Sequence, residues 1–135
     1  MTIKDFLLRF AVGYFVLEML IDLIMKVSGI TVGGWTTGVE IGIISGLTIW
    51  LCTSFGKKNG RYFTSHEKNL TILGMVAIDI SLQFLFLFSV FGINNSLKSS
   101  SLILSIFLVF VHLPFIYLYM NVCKRELIEK KIIII

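Results

Sequence analysis

The stretch VLEMLIDLIMK, residues 16–26, decides how the rest of this chain is read. It lies inside an apolar run over 6–27, yet it carries Glu18, Asp22 and Lys26. Spaced four apart, the three share one stripe of a helix. Ionisable groups in a segment of hydrocarbon length are costly, so the stripe has to face protein, pair with itself or reach an interface. It therefore predicts neighbouring helices that turn polar groups towards it.

Three further apolar runs follow, at about 36–55, 70–90 and 102–122. Each approaches the roughly 20 residues that cross a hydrocarbon core about 30 Å thick. A chain of 135 residues that is 56% hydrophobic and only 15% charged falls outside the composition of soluble domains. The expected fold is all-α, a four-helix transmembrane bundle forming one integral membrane domain over 1–135. Its helices are predicted at about 6–27, 36–55, 70–90 and 102–122, with a polar loop over 56–69. The first run is too long for a signal peptide and lacks an A-x-A site, so it is expected to stay as a helix.

The basic residues orient this bundle. Lys4, Arg9, the four in the 56–69 loop (Lys57, Lys58, Arg61, Lys68) and Lys124, Arg125, Lys130 and Lys131 all fall on one side, against Lys26 and Lys98 on the other. Under the positive-inside rule both termini and the loop are cytoplasmic, in a bacterial inner membrane. The net charge of +4 then meets lipid headgroups, and no nucleic-acid partner is expected.

Local signals mark the helix ends. Thr2–Asp5, Thr37–Glu40 and Thr64–Glu67 have capping-box spacing. On this reading Glu40 satisfies first-turn amides of the second helix, in preference to sharing a cation with Asp22. Gly38, Gly42 and Gly46 form a groove expected to receive the first helix. Asp22 and Lys26 are expected to pair near the outer surface. Trp35 is placed at an interface, and Tyr117 and Tyr119 anchor the inner end of the fourth helix. The last four isoleucines have no evident partner.

Counting depth at about 1.5 Å per residue brings Glu18, Asp79 and His112 to the bilayer midplane. Desolvation opposes charge on each of them, so a shared proton is a low-cost arrangement. Pro114 frees the carbonyl of Phe110 and loosens the turn that holds His112. This centre is read either as a proton-binding site or as an interhelical hydrogen-bond cluster, with packing preferred. Cys52 and Cys123 are expected to be reduced apolar side chains. No nucleophile elbow, phosphate loop or metal-ligand cluster occurs, so no enzyme activity, metal or cofactor is expected.

Two resemblances add to this. Gly60-Arg61-x-x-Thr64-x-x-Glu67-Lys68, between the second and third helices, resembles a family of small uncharacterised four-helix bacterial inner-membrane proteins, which implies fold and location. Glu18 followed by Met25-Lys26-x-Ser28 and Trp35 is similar to the first third of the small multidrug resistance transporters, which implies that Glu18 binds protons and cationic compounds in turn. The third helix, reading GMVAIDISLQFLFLF, departs from that family's aromatic–glycine pattern. The expected role is a non-enzymatic interaction, such as immunity to a membrane-acting toxin. Its partners would be the lipid bilayer and a membrane-protein or toxin partner. The rival is a small proton-coupled carrier built on Glu18, Asp79 and His112.

Overall fold

The computed structural model of the chain describes residues 1–29, 36–91 and 98–133, the side chains of 36–37, 86–91, 98–106 and 108–109 excepted. The interface position of Trp35 and the hydroxyl cap of Thr37 lie outside what is described. The protein is all-helical: α1 (Ile3–Ser28), α2 (Thr36–Asn59), α3 (Ser65–Phe91) and α4 (Lys98–Glu129), with no strand among the described residues. Among the described residues, two helical segments, Gly38–Asn59 of α2 and Ser65–Leu85 of α3, are long and apolar enough to cross a membrane. Length suffices in α1 as well, but Arg9, Glu18, Asp22 and Lys26 interrupt its apolar run.

Sequence chemistry sets the helix ends. Thr2 and Asp5 form a reciprocal capping box, and the Thr2 amide and hydroxyl hold the Asp5 carboxyl below its ordinary range. Thr64 and Glu67 do the same for α3, where Glu67 also takes a two-pronged bond from Arg61 at 2.7 and 2.8 Å. Left-handed Gly29 and Gly60 close α1 and α2 at φ 66° and 64°, a conformation that glycine adopts without a Cβ penalty. The polar loop expected over 56–69 is therefore much shorter, since α2 continues to Asn59 and α3 starts at Ser65. Lys57 and Lys58 ride on the last turn of α2, where cations favour the helix C-terminus.

Ile132 and Ile133 of the terminal isoleucine run do have partners. Lys131 turns left-handed at φ 54°, and Lys131 and Ile132 donate to the carbonyls of Ile128 and Leu127, both at 3.0 Å. This Schellman ending folds the chain back, so Ile132 packs on the core and Ile133 is buried in it.

Around the bundle the packed neighbours run α1–α2–α4–α3 and back to α1. The start of α1, the end of α2, the 60–64 turn and the inner part of α4 meet at one end. There the Met1 ammonium bonds Asn59, Phe63 stacks on Phe55 with centroids 3.9 Å apart, and the Tyr62 hydroxyl donates to the Met120 carbonyl. Three interfaces each seat a leucine tip where a glycine lacks a side chain: Leu47 on Gly13, Leu7 on Gly74 and Leu127 on Gly56.

The glycines singled out for that role behave otherwise. Gly38, Gly42 and Gly46 face outwards, and a Cβ on any of them would meet nothing within 4 Å. The first helix seats instead at Gly13 and Leu47, so the expected packing of α1 on the glycine stripe does not occur. Spacing reveals a smooth helix face but not which neighbour covers it. Gly74→Val should therefore overpack against Leu7 and cost about 1–3 kcal/mol. Gly42→Val should stay within about 0.5 kcal/mol of wild type, as both unfolding in detergent would measure.

Candidate functional site

The interior of the bundle is largely apolar but encloses one polar cluster, and its outside is apolar. Asp79 and His112 have no exposed surface, whereas Leu8, Leu73 and Phe110 are each at least 66% exposed. Isolated hydroxyls in the helices are satisfied by their own backbones. Ser45, Thr48, Thr53 and Thr71 each donate to the carbonyl four residues earlier, as hydroxyls do where water is scarce.

Asp79 of α3 is the hub. Its Oδ1 accepts from the Tyr14 hydroxyl of α1 at 2.9 Å and from Nε2 of Gln83, one turn along α3, at 3.1 Å. Its Oδ2 lies 2.7 Å from Nδ1 of His112 on α4. On the far side of that ring, Nε2 faces Oε2 of Glu40 on α2 at 3.7 Å. Glu18 stands one turn beyond Tyr14 on α1 and is half-buried. All four helices thus contribute to one cluster, from Tyr14 through Asp79 and His112 to Glu40, with Glu18 one turn along α1 from Tyr14.

Of the residues expected at the midplane, Asp79 and His112 bond directly, while Glu18 makes no hydrogen bond to either among the described residues. The Glu18 stripe divides along its length. A step of four residues turns a helix by about 40° beyond a full turn, so the stripe winds away from the interior. Tyr14 is buried, Glu18 half-buried, and Asp22 and Lys26 are an exposed ion pair at 2.6 Å. Glu40, assigned from spacing to a cap, sits well inside a helix that already begins at Thr36 and faces His112. Tyr14 and Gln83 escaped notice because neither is ionised at neutral pH. Each nonetheless stands four residues from a midplane acid, on the same helical face.

Three buried atoms of this centre have no hydrogen-bond partner among the described residues: Oε2 of Glu40, Oε1 of Gln83 and Nε2 of His112. Buried polar groups are normally paired, so the unfilled His112–Glu40 contact matters chemically. Asp79 as a carboxylate requires a proton on Nδ1 of His112. A second proton on the ring, or one on Glu40, makes the Nε2–Oε2 approach attractive. Loss of that proton leaves two acceptors facing each other. The contact therefore responds to a single proton. No three of His, Cys, Asp and Glu converge to hold a metal ion among the described residues. Cys52 and Cys123 are free, buried thiols, and Cys123 lies 3.7 Å from the Thr53 hydroxyl.

Comparison with protein-family models, characterised proteins and solved structures finds no match. The side chains therefore carry the functional reading. Removing the hub should strand several partners at once. Asp79→Ala is expected to cost about 3–5 kcal/mol, as for other buried pairs that lose one member. Tyr14→Phe should cost about 1.5–3 kcal/mol, the range of a hydrogen bond to a charged group. In the double variant the two effects should fall short of their sum, as denaturant titration in detergent would measure.

Proposed function

We propose that this chain is a multi-pass integral membrane protein whose central cluster takes up and releases protons, in the manner of a small proton-coupled carrier of cationic compounds. Four spans, with both termini and the 60–64 turn in the cytoplasm of a bacterium, complete this reading. The observation that carries it is the Asp79–His112 pair, sealed from surroundings and extended by groups from the other two helices inside an apolar exterior. A cluster that served packing alone would be expected to satisfy its own members. Here the ring nitrogen and the Glu40 oxygen that face each other are both unpaired. Glu18 and Glu40 are only partly covered, so each links the sealed pair to the surroundings.

Purified protein in liposomes should give proton flux driven by a cationic compound, and Asp79→Asn or Glu18→Gln should abolish it. Wild-type liposomes indistinguishable from empty ones across a panel of cationic compounds would sink the carrier reading.

One observation favours the other reading, a non-enzymatic interaction role such as toxin immunity. The Gly38–Gly42–Gly46 face of α2 is open, and glycine faces admit a second helix backbone at close range. On that reading Gly42→Ile abolishes protection against a pore-forming partner while Asp79→Asn leaves it in place.

A further inference from the structure

A groove of about 590 Å³ runs along the outer face of α4 from Leu113 and Pro114 to Arg125. Its wall is built from two adjacent helical rows, Leu113–Tyr117–Asn121–Arg125 and Pro114–Leu118–Val122. Residue type changes along its length. The Pro114 end is apolar, and Leu118 and Val122 continue that surface, exposed at 54% and 46%. The other end carries two cations. Arg125 closes the groove, and Lys68 of α3 is held at its edge by a 2.6 Å bond to Oδ1 of Asn121 and by the Tyr117 ring, 3.9 Å away. Glu129 takes only the Nε side of the Arg125 guanidinium, at 3.1 Å.

We infer that this groove binds one anionic phospholipid, with an acyl chain along Pro114, Leu118 and Val122 and the headgroup phosphate at Arg125 and Lys68. The inference rests on the membrane reading proposed above. Length fits a single lipid. Twelve residues of helix span about 18 Å, close to one leaflet, whose hydrocarbon is about 15 Å deep. Charge fits the headgroup, since a guanidinium fork, with an ammonium held one helical turn away at Asn121, suits phosphate oxygens. Both cations lie at the end of the bundle that gathers the basic 57–68 segment and the later part of α4. Basic pockets at the cytoplasmic ends of membrane helices recognise anionic headgroups in this way.

The test is native mass spectrometry of the full chain in detergent, with phosphatidylglycerol or phosphatidylcholine added in turn. One phosphatidylglycerol should be retained in preference to phosphatidylcholine, and Arg125→Gln and Lys68→Gln should each weaken it by about fivefold. Leu118→Trp should reduce binding of both lipids by filling the groove. Equal retention of the two lipids by wild type, a result that depends on no variant, would overturn the inference. So would binding unchanged in all three variants, or a dimer mass lost in Leu118→Trp, which would put a second copy in the groove. Release of the chain from membranes by alkaline carbonate would contradict the membrane reading itself and this inference with it. Lipid selectivity lost in a chain that resists extraction would contradict this inference alone.

Discussion

A carboxylate and an imidazole 2.7 Å apart, with no surface exposed, are the contact on which the bundle depends. Neither group is tolerable alone among apolar side chains. An isolated ion there would lose its hydration, and the penalty is recovered only through pairing and further hydrogen bonds. That requirement brings α3 and α4 together at Asp79 and His112, pulls α1 in through Tyr14, and draws α2 in through Glu40. The leucine-on-glycine seats then fix the spacing of the same helices. Polar satisfaction selects the arrangement, and apolar packing sets its dimensions.

The same constraint leaves the cluster poised. Asp79 has three hydrogen-bond partners, whereas the next contact outward, between His112 and Glu40 at 3.7 Å, lacks a bond among the described residues. One proton more or less changes that contact from attraction to repulsion. Pro114 stands two residues beyond His112 inside α4 and removes one backbone hydrogen bond from the turn that carries the ring. A ring whose outer contact depends on a proton thus sits on the helix segment least restrained by its own ladder.

Much of this was legible in the residues. Apolar run lengths gave the number and order of helices, and capping spacing placed the starts of α1 and α3. Depth counting brought Asp79 and His112 to the same level because both lie mid-helix and helices rise uniformly. What stayed hidden depends on rotation and on neighbours. The Glu18–Asp22–Lys26 stripe is a single line by spacing, but the helix winds it from the half-buried Glu18 onto the surface by Asp22, where Asp22 and Lys26 pair. Glu40 has a local explanation through Thr37, and only the position of α4 shows that its carboxylate meets a ring. Gly38, Gly42 and Gly46 mark a smooth face without saying what covers it, while the glycines that do seat a neighbour, Gly13, Gly56 and Gly74, have no pattern in common.

The most direct test of the central claim is nitrogen-15 NMR of histidine in the protein reconstituted in bilayers and titrated over pH. Exposed His66 gives a second histidine signal, assigned separately with a His66→Gln variant. The account predicts that His112 changes protonation while the bundle stays folded, and that its titration moves in both Glu40→Gln and Glu18→Gln. A single unchanging tautomer of His112 at every pH at which the protein is folded, insensitive to either substitution, would contradict it and leave the cluster as fixed packing.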